Sequence, residues 1–337
     1  MSFTVRVANT DIAFACDAGT TILEGARLAG YEMPYSCLRG ACASCRGLVS
    51  SGEVETPYPE DLYLLFCQTR PKSDLVIVPR EIRRIDPNAK KTLDAKVLRI
   101  TQAADDVKIV QLRFPAGVRV KFKAGQYLDV LLADGARRSF SMANSPQQSD
   151  GALLHIRVIP GGRFAEEVLP SLKAGDSLRV ELPAGDFWLR EGDKPAVFVA
   201  SGTGFAPIKS MLEDAFKRNV ARDMILYWGA RRQKDLYLAD LPQKWASQFA
   251  HFRFVPVLSE SEADWTGRTG FVHRAVMDDY ATLSECEVYA CGVAAMVDAA
   301  RRDLVAERNL TPDAFYCDVF VTPADTREFV RIPSPSK

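Results

Sequence analysis

Pro34-Tyr-Ser-Cys37-Leu-Arg-Gly-Ala-Cys42-Ala-Ser-Cys45-Arg46 sets three cysteines in a C-x4-C-x2-C spacing, and Leu65-Phe-Cys67-Gln68 adds a fourth sulfur from farther along. Four thiolates can hold two bridged irons, and three ligands crowded on one loop with a solitary fourth is a ligand spacing of [2Fe–2S] clusters. Gly40, Ala41, Ala43 and Ser44 are small, so backbone N–H groups can approach the sulfurs without side chains intervening. A structural zinc ion would accept the same sulfurs, yet zinc sites usually draw their ligands from two short knuckles. That asymmetry favours a cluster on Cys37, Cys42, Cys45 and Cys67. A disulfide framework fits poorly, because the sequence opens with no apolar leader and free thiols in a reducing compartment are expected.

Composition narrows the rest. A chain of 337 residues exceeds what one hydrophobic core usually serves, so two or three domains are expected. Lys plus Arg and Asp plus Glu balance at 43 each, which supplies no field toward nucleic acid or an anionic membrane. Apolar runs such as Ala196-Val-Phe-Val-Ala200 fall far short of the roughly 18 residues of a membrane span. A cytoplasmic protein, monomeric or weakly dimeric, is the expectation. The three histidines, His155, His251 and His273, stand apart with no Cys-x-His pairing, which argues against a Rieske centre and its two His ligands.

Outward from the cysteine loop, Phe3, Val5 and Val7 alternate with polar neighbours, and Ile12 and Phe14 repeat the pattern after Asn9-Thr-Asp11, a hairpin. Ile22, Ala26 and Ala29 give helical spacing that Gly30 stops. Asp74 to Val78 closes residues 1–85 as a buried strand, a β-grasp arrangement in which Cys16 reads as a small apolar strand residue. Pro79 to Lys91, Pro-containing and basic, reads as a solvated domain connection, with the linker itself placed at residues 86–93.

Residues 94–190 carry six short strand patterns, over 95–100, 107–114, 126–132, 138–142, 153–159 and 177–182, which point to an antiparallel barrel. Residues 191–321 alternate instead. A strand over 196–200 leads through Ser201-Gly-Thr-Gly-Phe-Ala-Pro207 into a helix expected over 208–218, with Pro207 at its first position. Such a glycine loop offers bare amides and a helix dipole to a phosphate. Further strands over 224–228, 252–257 and 287–291 and a helix over 293–307 predict a parallel α/β sheet. Ligands bind at the carboxyl edge of such sheets, here Gly229-Ala-Arg231 and Cys291-Gly292. Residues 322–337 read as a loose tail, and Cys286 and Cys317 as structural.

Three sets of motifs carry a resemblance. Tyr35-Ser-Cys37 through Cys45, with Phe66-Cys67-Gln68 and Ser73-Asp-Leu75, looks like a plant-type ferredoxin domain. Arg138-Ser-Phe-Ser-Met-Ala-Asn144, Ile156 to Phe164 and Pro183-Ala-Gly-Asp-Phe187 resemble the flavin-binding barrel of the ferredoxin-NADP reductase superfamily. Gly202 to Pro207 and Cys291 to Met296 resemble its nicotinamide domain. In this order the modules are similar to the reductase components of bacterial multicomponent ring-hydroxylating oxygenases. The runs Ile85 to Lys91, Ser141 to Asn144 and Gly202 to Ser210 resemble the terephthalate 1,2-dioxygenase type.

The resemblance implies FAD, with Arg138 pairing with the flavin phosphates through its planar fork, Phe140 against the isoalloxazine, Ser141 at its N5 edge and Asn144 in the same motif. Gly161, Gly162, Arg163 and Phe164 would open a short helix toward the pyrophosphate. Phe140 replaces a usual Tyr, and Ala165 stands where many relatives carry Ser or Thr, each removing one hydrogen-bonding group. Gly202, Thr203, Gly204, Pro207, Arg231 and Gly292 would receive NADH, with NADPH the alternative. Cys291 would lie by the nicotinamide or be a small buried strand residue, and Phe320 would cover the flavin or be a core aromatic. The implied activity converts the paired electrons of a hydride into single electrons for the cluster and then for a terminal oxygenase. The same wiring would serve a diiron monooxygenase or a sugar dehydratase. A reading of another class is a zinc-stabilised, nucleotide-sensing interaction protein.

Overall fold

Period-two alternation at the amino terminus becomes strands β1 (Ser2–Val7) and β2 (Ala13–Asp17), turned through Asn9 at a φ of 59°, a left-handed conformation that Asn tolerates. The computed structural model describes residues 1–320 apart from Tyr58, Glu60, Pro87, Pro160 and Arg163. The expectations placed on Arg163 and on residues 322–337 therefore lie outside the described residues. Two compact units emerge among those described, Met1–Ala89 and Lys90–Phe320.

In the first unit, helix α1 (Ile22–Leu28) starts at Thr21, whose hydroxyl accepts the Glu24 N–H at 3.3 Å, a standard N-cap. Strands β3 (Arg46–Ser51), β4 (Leu64–Leu65) and β5 (Leu75–Pro79) complete a sheet of order β2-β1-β5-β3-β4. Strands β1 and β5 run parallel and the other pairs antiparallel. Val5, Phe14, Ile22, Ala26, Phe66, Leu75 and Ile77 form its buried interior, and the arrangement is the β-grasp. Arg83 and Arg84 belong to this unit, laddered antiparallel to Tyr31 and Glu32. Arg83 pairs with Glu32 at 2.9 Å and the Arg84 guanidinium lies 5.4 Å from the Tyr31 ring centre. The basic run has partners in its own domain, which charge counting alone does not reveal.

The second unit opens with β6 (Lys91–Ala104), far longer than the strand expected over 95–100. Register breaks at Val97/Arg99 and Gln102/Ala104 bend it, as bulges do, so its first half pairs with one neighbour and its second half with another. With β7 (Val107–Arg113), β8 (Tyr127–Leu131), β9 (Arg137–Ser141), β10 (Gly151–Arg157) and β11 (Ser177–Ala184) it forms an antiparallel sheet of order β9-β8-β11-β6-β7-β10. The two edges meet at a Met142–Leu154 bridge, closing a barrel around Val110, Leu128, Leu154 and Val180.

The remaining sheet is parallel: β12 (Ala196–Ser201), β13 (Met224–Ala230), β14 (Phe252–Leu258), β15 (Arg268–Thr269), β16 (Glu287–Val293) and β17 (Phe315–Phe320), in the order β15-β14-β13-β12-β16-β17. Helix α2 (Phe205–Lys217) follows β12 and helix α3 (Ala294–Arg308) follows β16. Helix α2 begins three residues earlier than expected, after a 3₁₀ turn at Gly202–Gly204. Pro207 is thus its third residue, where a missing N–H removes no intrahelical bond. Strand order reverses between β12 and β16, so a crevice opens outside their carboxyl ends, the position where nucleotides dock in such folds.

Candidate cluster loop and flavin–nicotinamide site

The cysteine loop follows the first helix of the β-grasp unit, and its backbone turns inward. Leu38, Gly40 and Ala43 all take left-handed φ values, 56°, 77° and 59°, and this directs successive amides at sulfur. The N–H groups of Arg39, Ala41 and Cys42 donate to Cys37 Sγ at 3.4, 3.3 and 3.3 Å, and the Cys37 N–H to Cys42 Sγ at 3.5 Å. Ser44 donates to Cys42 through both its hydroxyl and its amide, and the Gly40 N–H reaches Cys67. Gln68 anchors the far side, its Nε2 donating to the Leu38 carbonyl at 3.2 Å, the Cys67 carbonyl at 2.9 Å and Cys67 Sγ at 3.6 Å.

The four sulfurs fall into two pairs. The hydrogen bond between Cys37 and Cys42 holds Cys42 well below the usual thiol range and pushes Cys37 well above it. Cys45 and Cys67 repeat the pattern, with Cys67 lowered and Cys45 raised. Among the described residues no three His, Cys, Asp or Glu side chains gather as a single metal ion requires. Two sulfur pairs ringed by amide donors suit two irons bridged by sulfide, where thiolate charge is spread and each sulfur accepts N–H bonds.

On the barrel, the edge strand β9 delivers the flavin motif. Ser141 is buried at its end. Phe140 is half-buried and packs at 4.9 Å on Phe164, which itself sinks into the barrel core. Arg138 is half-exposed and its guanidinium donates to the Arg137 carbonyl at 2.8 Å. Asn144 is buried and fully engaged: its amide donates to the carbonyls of Gln148 and Gly151 and accepts the Leu153 N–H at 2.9 Å. That side chain ties the strand end to β10. Gly161 adopts φ 76°, and its N–H donates to the Glu166 carboxylate at 2.6 Å. An anionic oxygen is already accepted at the loop expected to meet pyrophosphate, so the amide fits that group. The expected helix there is a single π-turn, Phe164–Val168.

At the crevice of the parallel sheet the glycines are forced by crowding. A Cβ on Gly204 would overlap the Cys291 carbonyl, and one on Gly292 would overlap Ser201 Oγ. Gly202 sits at φ 51° with its carbonyl accepting Trp228 Nε1–H at 3.0 Å. Thr203 is buried with them, so Gly202, Thr203, Gly204, Cys291 and Gly292 converge. Burial holds the Cys291 thiol well above the usual range, with the carboxylate of Asp318 adding to it. Arg231 is exposed past the end of β13, 4.0 Å from Asp235. Phe320, at the end of β17, packs partly against the core of this sheet.

Comparison with known proteins bears on all three modules. Residues 5–72 match the 2Fe-2S iron-sulfur cluster binding domain, residues 94–188 the oxidoreductase FAD-binding domain and residues 198–302 the oxidoreductase NAD-binding domain. Terephthalate 1,2-dioxygenase reductase component 1 of Comamonas sp is 40% identical over 332 residues, covering 96% of this chain and 98% of the relative. The chain belongs to the reductase-component family. The CDP-6-deoxy-L-threo-D-glycero-4-hexulose-3-dehydrase reductase of Yersinia pseudotuberculosis serotype I (strain IP32953) is 37% identical and covers 95% and 99% of the two chains. The crystal structure of Amycolatopsis cytochrome P450 reductase GcoB superposes with a TM-score of 0.76 at 32% identity, covering 94% and 98%.

This reductase is therefore an NAD(P)H-dependent flavin and iron–sulfur oxidoreductase, and the single-zinc reading falls. Its site holds residues that motif reading passed over. Arg157, at the end of β10 and 3.1 Å from Asp106, lies against Gly202, where a Cβ would meet its guanidinium. His155 Nδ1 sits 2.9 Å from the Tyr237 hydroxyl. Burial, helped by the Lys209 ammonium, pushes the His155 pKa down to about 3. The outward-facing positions of the 153–159 strand pattern are the one sequence signal for Arg157 and His155.

Proposed function

We propose that this reductase draws electrons from NADH and supplies them singly to the terminal oxygenase of an aromatic ring-hydroxylating dioxygenase, with terephthalate 1,2-dioxygenase as the favoured client. The observation that carries this is that one chain holds both a loop whose four sulfurs pair two by two and, in its other unit, a glycine loop at a sheet switch point. The 40% identity to the Comamonas sp reductase over nearly its full length favours the dioxygenase client. The 37% identical dehydrase reductase keeps a sugar-deoxygenating client as the second reading. The working modules are residues 1–85, 94–190 and 191–321, and the protein acts in the cytoplasm as a monomer or weak dimer.

Bound FAD supplies the conversion of a hydride into single electrons. The protein's own residues bind and orient. Arg138 and the Gly161–Gly162 amides would hold the phosphates, Phe140 would lie against the ring and the Ser141 hydroxyl would hydrogen-bond its reactive edge. Asn144 acts through the strand end it anchors. Gly202, Thr203, Gly204 and Gly292 admit a dinucleotide backbone because no Cβ obstructs it, and Arg231 meets its ribose end. Cys291, kept as a neutral thiol, would border the nicotinamide without adding charge, and Phe320 would cover the flavin ring. The cluster would be held by Cys37 paired with Cys42 and by Cys45 paired with Cys67.

An ultraviolet–visible spectrum tests the cofactor set: flavin bands with added iron–sulfur absorbance, bleached by NADH, are expected, and a colourless zinc protein would end the proposal. Purified terephthalate dioxygenase and sugar dehydratase components, offered in turn, identify the client. A Cys67→Ser variant should keep flavin reduction by NADH and fail to reduce the oxygenase. Full turnover by that variant would show that the cluster is off the route.

A further inference from the structure

The nucleotide-loop motif continues past Pro207 as Ile208-Lys209-Ser210, and a phosphate cradle has no use for these residues. Residues Phe205 to Leu212 of α2 are all buried, so this helix is enclosed on every side. Its apolar face packs into the parallel sheet through Phe205, Ile208, Met211 and Leu212. Its polar positions meet the segment just beyond Ser141. Lys209 Nζ donates to the Ala143 carbonyl at 3.1 Å and is ion-paired with Glu213 at 2.7 Å. Ser210 Oγ donates to the Asn144 carbonyl at 2.6 Å, and Lys217 Nζ to Ser145 Oγ at 2.6 Å. Gln147 Nε2 donates to Asp214 at 2.7 Å.

The receiving segment is itself immobilised from behind. The Ala143 N–H donates to the Leu153 carbonyl at 2.7 Å, and the Asn144 side chain bonds Gln148, Gly151 and Leu153. Lys209 is 7% exposed and Ser210 fully buried. A buried ammonium costs desolvation that an apolar side chain of similar length avoids, so packing alone gives no reason for a Lys here. What the cation supplies is a fixed separation. Lys209 lies about one helical turn from the start of α2, and Ala143 lies two residues beyond Ser141. We propose that Lys209 and Ser210 are positioning residues: they latch the helix that follows the nicotinamide loop to the flavin strand and so set the hydride-transfer distance.

This rests on the hydride-transfer reading above. A displacement near 1 Å in such a geometry costs about 100-fold in rate, so the latch predicts a loss in the chemical step rather than in binding. In stopped-flow reduction of the FAD-loaded protein, Lys209→Met should slow hydride transfer by roughly 10- to 100-fold and leave the NADH KM nearly unchanged. The deuterium isotope effect with 4-deuterated NADH should rise, and the nicotinamide–flavin charge-transfer absorbance should weaken. Ser210→Ala, the milder change, should show the same pattern with a smaller loss, and it decides the matter should Lys209→Met not fold. In the FAD-free protein, hydrogen exchange over residues 142–148 should speed up in both variants. Unchanged hydride transfer in the variants, or a loss that merely tracks lost FAD, overturns the latch. A wild-type protein whose flavin NADH does not reduce instead sinks the functional reading, while the exchange measurement still judges the latch.

Discussion

The cluster loop and the flavin–nicotinamide site solve the same problem, holding a redox group, by opposite means. The loop gathers three of its four candidate ligands within nine consecutive residues, Cys37 to Cys45, and orients Cys37 with its own amides. The second site is assembled from strand ends and a helix that are far apart in sequence: Ser141, Gly202, Cys291 and the Lys209–Ala143 contact. A local site needs its ligands and a wrapping backbone. A distributed one needs, in addition, contacts that fix the separation of its parts, and those contacts carry no motif.

Crowded glycines give the sharpest test of this contrast, because each belongs to one site alone. Gly204→Ala drives a Cβ into the Cys291 carbonyl, and backbone overlap cannot be relieved by a rotamer change. NADH-driven flavin reduction should fall by about 100-fold or more, with the iron–sulfur absorbance intact. Gly47→Ala would overlap the Phe66 ring, next to Cys67, and approach the Val78 carbonyl. The iron–sulfur absorbance should drop while FAD reduction by NADH survives. If either lesion abolished both signals, the two sites would not be independent and the contrast would fail.

A pH experiment probes the second site more gently. His155 has its pKa lowered to about 3 by burial, so the unfolded chain takes up a proton that the folded one refuses once pH drops below the unfolded value of about 6.5. Its contribution is neutral above that value and turns destabilising as pH falls from there toward 3. At pH 5 the cost is on the order of 2 kcal/mol. The gap in thermal stability between wild type and His155→Gln should therefore change between pH 7 and pH 5 in favour of the variant, and a constant gap would contradict the buried, neutral imidazole. The smallest expected effect lies in the cluster loop. Leu38, at φ 56° and 49% exposed, bears a left-handed strain that Gly relieves. Leu38→Gly should stabilise the loop by up to about 1 kcal/mol, read as slower loss of iron–sulfur absorbance in denaturant.

Much of this protein is legible in its sequence. The strand expected over 196–200 and the one expected over 107–114 reappear almost unchanged as β12 and β7, because burial imposes its pattern on the sequence. Two boundaries moved. β6 runs over Lys91–Ala104 because bulges let one strand serve two neighbours, and α2 starts at Phe205 because a 3₁₀ turn tightens the glycine loop. Arg157 and His155 were missed because a charged residue on a strand declares only that it faces away from the core, and not what it faces.

The sequence by itself determined the order of the modules and pointed to the candidate cluster ligands and the glycines of the nucleotide loop, since chemistry at each of those positions admits few residue types. Only the tertiary structure decided that Cys37 pairs with Cys42 and Cys45 with Cys67, that Arg83 and Arg84 fold back on Tyr31 and Glu32, and that Lys209 reaches Ala143 across 66 positions of sequence. Hydrogen bonds between distant segments depend on how whole elements pack, and no periodicity or motif encodes that distance.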